Sequence, residues 1–274
     1  MSDQPAGGLL LVGCGKMGGA LLGGWLDQGV APASITIVEP ADAALPANLH
    51  PDIIRCKSEN ELDDGSRPEI ILFAVKPQAI DQVAPPYARF ADAATYLSIA
   101  AGKTIDDFET LLGGGAAIIR VMPNTPAAVR RGISVAVANA AVGDAARTRA
   151  AELLSAVGEV AWIEDEGLMD AVTALSGSGP AYVFHLAECM AAAGTAAGLP
   201  EDLAVALARA TVSGSGELMR QSSETAATLR RDVSSPGGTT EAALKVLMRG
   251  DAFEKLMSEA IQAATERSRE LAQA

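Results

Sequence analysis

Over roughly the first 165 residues, short unbroken apolar runs take turns with longer stretches of helical or turn-rich character. The runs are Leu9–Val12, Ser34–Val38, Glu69–Val75, Thr95–Ala100, Ala116–Val121, Ile133–Asn139 and Glu159–Ile163. Several are continuous Val/Ile/Leu segments without polar alternation, which is how parallel strands read when both faces are covered. Helical pieces such as Met17–Gln28 and Gly143–Val157 fill the intervals. Strand and helix in alternation predict an α/β fold built on a Rossmann-like doubly wound sheet.

Past Glu166 the strand pattern stops. Leu168–Leu175, Ala181–Ala197, Glu201–Arg220, Thr239–Met248 and Ala252–Leu271 all read as helices. They are separated by Ser176-Gly177-Ser178-Gly179-Pro180, by Gly198-Leu199-Pro200, by a polar stretch ending in Ser-Ser-Pro-Gly-Gly, and by Arg249-Gly250-Asp251. The chain is therefore expected to divide near Asp165 into an α/β domain, residues 1–165, and an all-α domain, residues 166–274. The segment Ala187–Gly198 has small residues on all sides. Backbones are expected to approach closely there, within the bundle or across a dimer.

Composition narrows the class. Apolar residues are 49% and charged residues 20% of the 274, a globular balance, and aromatics at 4% leave alanine and glycine to carry the helix packing. No apolar run reaches the ~18–20 residues that span a bilayer. Lys16 interrupts the first candidate, and His185 with Glu188 the second. Asp3 precedes the first apolar stretch with no basic residue, so the N-terminus does not read as a signal peptide, and a cytoplasmic location is expected. Cys14, Cys56 and Cys189 lack Cys-x-x-Cys or Cys/His spacing, so neither a disulfide framework nor a metal site is expected. A net charge of −13 argues against nucleic acid and anionic membranes as partners. It also means that an anionic ligand must be held by specific cations or helix N-termini.

The first strand runs from Leu9 to Val12 and is followed by Gly13-Cys14-Gly15-Lys16-Met17-Gly18, a Gly-x-Gly-x-x-Gly fingerprint that opens a helix. In that place the first glycine makes the tight turn, the second admits a pyrophosphate close to the backbone, and the third lets helix pack on strand. Glu39 ends the second strand about 20 residues further on, where an acid accepts hydrogen bonds from the adenosine ribose and repels a 2′-phosphate. No Lys or Arg occurs between Glu39 and Arg55 to receive such a phosphate, which predicts that NADH is used at least as well as NADPH. Ala74-Val75-Lys76-Pro77 and Ala100-Ala101-Gly102 end two further strands, on the side where the ligand crevice of such sheets lies. Arg120-Val121-Met122-Pro123-Asn124-Thr125-Pro126 ends a third, its two prolines stiffening a loop on the nicotinamide side.

In the helical half, Ser176–Pro180 and Ser234-Ser235-Pro236-Gly237-Gly238-Thr239-Thr240 each precede a long helix. Ser is expected to cap, Pro to take the first helical position, and the glycines to expose backbone N–H groups, an arrangement suited to a carboxylate.

Asp170–Tyr182, with its Ser-Gly-Ser-Gly-Pro, and Leu229–Thr240, with its Ser-Pro-Gly-Gly-Thr-Thr, closely resemble the signatures of pyrroline-5-carboxylate reductases. So do Val75-Lys76-Pro77 and Val121–Pro126, and the match runs in order over nearly the whole chain. That family reduces 1-pyrroline-5-carboxylate to proline, the last step of proline biosynthesis, with NAD or NADP in reduced form as hydride donor. The resemblance implies that the loop around Gly238 holds the substrate carboxylate through Ser235, Thr239 and Thr240. It further implies that Thr240 bonds the ring nitrogen as the catalytic donor, that Glu166 lies near the substrate ring, and that Asn60 lies near the adenosine. Family members are homodimers or rings of dimers in which the helical half of one subunit completes the partner's site. Many prefer NADPH, and Glu39 departs from the small polar residue expected there.

The residues suit this chemistry, because a cyclic imine is basic enough to be protonated near neutrality and requires no strong general acid. The two histidines fit that role poorly: His50 is in a proline-flanked loop and His185 lies within an apolar helix. A hydroxyl donor with good positioning suffices. A β-hydroxyacid dehydrogenase shares the same layout but needs a base, usually a Lys near an Asn, and the helical half offers only Lys245 and Lys255 outside any glycine-rich loop. Reductases of other cyclic imines and a non-catalytic nicotinamide sensor are the remaining alternatives.

Overall fold

The computed structural model describes residues 8–272; Asp3, on which the reading of the N-terminus turns, lies outside them. Eight strands form one sheet: β1 (Gly8–Val12), β2 (Ile35–Val38), β3 (Ile54–Cys56), β4 (Pro68–Phe73), β5 (Thr95–Ser98), β6 (Ala117–Met122), β7 (Gly132–Ala138) and β8 (Gly158–Trp162). The order is β3-β2-β1-β4-β5-β6-β7-β8, so the chain leaves β1 toward one edge and returns to build the other. That reversal beside β1 is the switch point at which such sheets bind ligands. The expected Rossmann-like α/β fold with a helical remainder is what the chain adopts, with two departures in the sheet. β3 has only three residues and one buried side chain, Cys56, too little to leave a hydrophobic pattern. β7 runs antiparallel to β6. Only nine residues, with the 3-10 turn Thr125–Val129 among them, separate the two strands, and a parallel crossover needs a dozen or more.

Alternate residues of the strands feed two cores. Leu9, Leu11, Ile35, Ile37, Ile70, Leu72, Leu97 and Ile119 pack under α1 (Lys16–Asp27) and, beyond the single turn α2 (Ile80–Val83) and α3 (Ile105–Leu112), under α4 (Asp144–Ser155). Trp25 of α1 is fully enclosed and its indole N–H donates to the carbonyl of Leu153 in α4 at 2.9 Å, which joins the two helices. On the opposite face Leu10, Val12, Ile71, Phe73 and Tyr96 meet Phe108 of α3. Phe73 stands edge-on to Tyr87 at 5.4 Å between centroids and stacks on Phe108 at 5.6 Å. Burial pushes the Tyr87 and Tyr96 hydroxyls well above their ordinary values, and Tyr96 spends its proton on the Tyr87 carbonyl at 2.7 Å.

After β8 the chain is helical: α5 (Met169–Val172), a π-helical turn (Thr173–Gly177), α6 (Gly179–Ala196), α7 (Glu201–Gln221), α8 (Ala226–Asp232), α9 (Thr239–Leu247) and α10 (Ala252–Ala272). α8 falls in what reads in the sequence as a polar connection; Thr225 caps it by accepting from the Thr228 N–H at 3.2 Å. By internal contacts the chain forms two compact units, one running to Gly177 and resuming at Thr265, the other Ser178–Ala264. The close approach expected in the Ala-rich segment is present between α6 and α7, where a Cβ on Gly194 would lie 3.3 Å from that of Ala204. Among the described residues no helix is long and apolar enough to cross a membrane.

Candidate cofactor and substrate site

The three fingerprint glycines have three different surroundings. Gly13 has φ +89, and a Cβ there would stand 2.7 Å from Cγ1 of Val75 and 2.9 Å from the Ala74 carbonyl. At Gly18 a Cβ would meet the Gly13 carbonyl at 2.6 Å, so helix and strand approach too closely for any other residue. A Cβ on Gly15 would have no neighbouring group within 4 Å: it would stand in open space over the start of α1. Gly15 is the residue before α1, and no side chain caps that helix. The first-turn N–H groups, from Lys16, Met17 and Gly18, thus have no side-chain acceptor, which leaves a site for a pyrophosphate. A dinucleotide fits this cradle.

Beside the loop, Val12 accepts the Ala74 N–H at 2.8 Å and the Gly13 N–H extends the sheet to Val38 at 2.9 Å. Glu39 follows, half-buried, with one carboxylate oxygen accepting from the Cys14 N–H at 2.8 Å and the other from Ala41 N–H at 3.0 Å. It is therefore held against the glycine loop and is no freely solvated loop acid. Burial, with Glu39 adding to it, pushes the Cys14 thiol up to about 11 and keeps it protonated and inert. A cavity of about 370 Å³ opens there, lined by Ile37, Glu39, Asp42, Arg55, Cys56 and Lys57 among others. Arg55 was invisible as a neighbour of Glu39 in the sequence, because the three-residue β3 that carries it there left no signal.

Lys76 is exposed at the end of the β4 segment with the extended backbone (φ −62, ψ 144) that Pro77 imposes. Ala74, Val75 and Pro77 are half-buried beside it. After β5, Ala100 is buried, Ala101 exposed and Gly102 turns with φ +80. Asn60 is exposed in a 3-10 turn, its amide on Glu59 at 3.2 Å, and is not part of the cavity wall.

Glu166 has a structural engagement that its sequence context does not reveal. Its Oε1 accepts from Nη1 of buried Arg120 at 2.7 Å and from the Ile105 N–H at 2.9 Å. Arg120 sits in β6 between Ser98 and Val137, and a guanidinium in a sheet interior requires such an acid. The Ser-Gly-Ser-Gly-Pro segment also differs from expectation. Instead of an open helix start it forms the π-helical turn running into α6; Ser178 has helical backbone angles and makes no cap hydrogen bond. Ser176 instead receives the Asn124 amide at 3.3 Å, while Asn124 Oδ1 holds the Ile133 N–H at 3.0 Å. A Cβ on Gly177 would lie 2.3 Å from Cε of Met122, so this glycine serves packing.

In the other unit, the Ser-Pro-Gly-Gly-Thr-Thr loop ends one helix and starts the next. Ser234 bonds back to the Arg230 carbonyl of α8 at 2.6 Å, Gly237 has φ +73, and Gly238 is the residue before α9. Pro236 therefore lies in the turn and not at the first helical position, and Ser234 closes α8 instead of capping α9. α9 has no side-chain cap, so the N–H groups of its first turn, Thr239 and Thr240 among them, are available to an anionic ligand. Glu241 braces the loop: its Oε2 accepts the Gly237 N–H at 2.5 Å and its Oε1 pairs with Lys245 at 2.8 Å. Ser235 and Thr239 are exposed and Thr240 half-buried.

A parallel-sheet unit with this glycine cradle and an acid ending β2 belongs to a nicotinamide-dependent oxidoreductase. Residues 9–102 match the family described as NADP oxidoreductase, coenzyme F420-dependent, and residues 166–271 that described as pyrroline-5-carboxylate reductase dimerisation. The chain is 39% identical over 269 residues to the pyrroline-5-carboxylate reductase of Pseudomonas aeruginosa, with 97% of each covered. It superposes on the Coxiella burnetii pyrroline-5-carboxylate reductase with a TM-score of 0.88 at 29% identity, covering 97% of this chain and 99% of that one. For the Plasmodium falciparum pyrroline carboxylate reductase, solved with NADP bound, the TM-score is 0.79 at 29% identity, covering 97% and 98%. The chain belongs to the pyrroline-5-carboxylate reductase family.

Proposed function

We propose that this chain reduces 1-pyrroline-5-carboxylate to L-proline in the cytoplasm, completing proline biosynthesis. The observation that carries the reading is the Ser-Pro-Gly-Gly-Thr-Thr loop on an uncapped α9, in a chain that also holds a dinucleotide cradle. When bound, the reduced nicotinamide supplies a hydride to the imine carbon. The chain's own residues do the rest. Gly13, Gly15, Gly18 and the start of α1 hold the pyrophosphate, and Ala74–Pro77 with Ala100–Gly102 line the nicotinamide side. Gly238, Thr239 and Ser235 hold the substrate carboxylate at the α9 N-terminus, where the helix dipole favours an anion. The Thr240 hydroxyl holds the ring nitrogen, orienting the imine and stabilising the developing amine. Residues 1–165 act as the dinucleotide-binding domain and 166–274 as the helical substrate-binding and dimerisation domain.

Two finer assignments follow. Glu39, fixed by Cys14 and Ala41, leaves its remaining acceptor capacity to the ribose hydroxyls and repels a 2′-phosphate, so NADH serves at least as well as NADPH. The chain works as a homodimer or a ring of dimers, since Phe184, Leu186, Leu203 and Leu207 are exposed on α6 and α7.

The test is a steady-state assay of NADH and NADPH oxidation with 1-pyrroline-5-carboxylate, with proline quantified as product. Thr240→Ala is expected to lower kcat by about 10²-fold while leaving NADH affinity within about twofold. An unchanged kcat removes Thr240 from the chemistry, and a kcat/KM much higher with NADPH removes the role given to Glu39.

A further inference from the structure

The cavity beside Glu39 contains an ion pair whose position bears on cofactor choice. Arg55 lies on β3 opposite Ile37 of β2 and lines the same cavity as Glu39. Its Nη2 lies 2.9 Å from Oδ1 of Asp42, which opens the 3-10 turn Asp42–Ala44 just after β2. Glu39 helps set that turn, since it accepts the Ala41 N–H. Lys57, the other cation on the wall, follows β3, and its backbone N–H donates to Glu61 at 2.7 Å.

We propose that Asp42 is a second specificity-determining residue, which occupies Arg55 and so withholds the cavity's guanidinium from an adenosine 2′-phosphate. A guanidinium fork matches a phosphate as well as it matches a carboxylate, and a phosphate dianion is the stronger partner of the two. Arg55 and Asp42 are both substantially exposed, at 49% and 69% of their side chains, so their pair is weak. Asp42 therefore sets a threshold, whereas Glu39 opposes the phosphate by direct repulsion. Removing Glu39 alone leaves Arg55 engaged. Removing both acids turns the same cavity into a 2′-phosphate receptor without adding any cation. The inference rests on the adenosine end of the cofactor using this cavity, as the role given to Glu39 requires.

The experiment measures binding without hydride chemistry: calorimetric titration of the full chain with adenosine 2′,5′-diphosphate and with 5′-AMP. The ratio of the two affinities isolates the 2′-phosphate. It is expected to shift toward the diphosphate by about two- to fivefold in Asp42→Ser. In Glu39→Ser/Asp42→Ser the expected shift is roughly tenfold or more, and adding Arg55→Ala is expected to abolish most of that gain. A ratio unmoved by Asp42→Ser, or a double variant indifferent to Arg55→Ala, overturns the proposal. The reading of Glu39 fails separately: a wild type that already prefers the diphosphate, with a ratio unmoved by Glu39→Ser, removes Glu39 while the Asp42 and Arg55 arms still report. Binding of 5′-AMP untouched in all variants, with no change in ratio, overturns both.

Discussion

The unit built on the sheet and the unit Ser178–Ala264 treat their apolar residues in opposite ways. In the first, Trp25, Phe73, Tyr87, Tyr96 and Phe108 are all essentially inaccessible, held between strands and helices of the same unit. In the second, only Ala204 and Ala208 are buried, while Phe184, Leu186, Leu203, Leu207, Leu218 and Met219 lie exposed. α6 and α7 meet through small side chains, which leaves their large ones pointing elsewhere. The cofactor cradle thus rests on a self-sufficient core, and the Ser-Pro-Gly-Gly-Thr-Thr loop, proposed to hold the substrate, belongs to a unit that leaves its large apolar side chains exposed. A second copy of the chain is the partner consistent with the dimerisation family that matches residues 166–271.

The largest expected effect breaks the comparison at that surface. Phe184→Glu with Leu207→Glu places two charges on positions that are solvent-exposed within one chain, so folding of the monomer is tolerated. If copies bury those positions, each charge costs several kcal/mol, and the assembly dissociates. Sedimentation is expected to show monomers with proline formation reduced by about 10²-fold or more, while 5′-AMP binds within about twofold of wild type. An intact oligomer would show that some other face of the helical unit is covered.

Next in size are two glycine substitutions that separate fold from ligand within the cradle. Gly18→Ala drives a methyl to 2.6 Å from a backbone carbonyl that cannot move without the sheet, and is expected to cost about 1–3 kcal/mol. For a chain of this size that corresponds to a drop of roughly 3–10 °C in Tm by calorimetry. Gly15→Ala adds its methyl to open space, so Tm should stay within about 1–2 °C. NADH binding should nevertheless weaken by roughly tenfold if the pyrophosphate approaches through that space, as proposed. A Gly15→Ala protein that binds NADH normally would move the pyrophosphate away from this loop.

The same contrast explains what could be read from the sequence. Strands such as β1, β2, β5 and β6 announce themselves because each buries a continuous apolar run, and the fingerprint works through local backbone geometry that three glycines dictate. β3 carries its effect through pairing alone, so Arg55 looked remote from Glu39 although the sheet sets them on one cavity. Arg120 looked like an ordinary strand-end residue; that it is buried depends on three strands meeting and on Glu166, 46 positions away, closing over it. The Ser-Gly-Ser-Gly-Pro segment misled for a different reason. Its residues favour a helix start, but Ser176 and Gly177 fall within the π-helical turn Thr173–Gly177, which α6 follows after Ser178, itself at helical angles. The two long signatures were legible as chemistry, and their local conformations were not.

The smallest expected effect concerns Glu241, which braces the Ser-Pro-Gly-Gly-Thr-Thr loop as Glu39 braces the glycine loop, but from the surface. The hydrogen bond from Lys245, and after it the Gly237 N–H, keeps its carboxyl below its ordinary value of 4.5. A depressed folded value means that the ionised form favours the folded loop. That contribution is fully present above pH 4.5 and is lost as pH falls through the lower folded value. Glu241→Gln is therefore expected to lower Tm by only about 1 °C at neutral pH, with the difference from wild type vanishing in the acid range below pH 4.5. Without the brace, Gly237 loses one of the constraints on its φ of +73, and the N–H groups beside Thr239 and Thr240 are less well placed. If this loop holds the substrate carboxylate, as proposed, it does so alike in ground and transition states, and the loss should appear as a rise in KM for 1-pyrroline-5-carboxylate of about two- to fivefold with kcat unchanged. A fall in kcat at constant KM would instead mean that the brace acts on Thr240 and the ring nitrogen, and would move Glu241 from holding the substrate to positioning its donor.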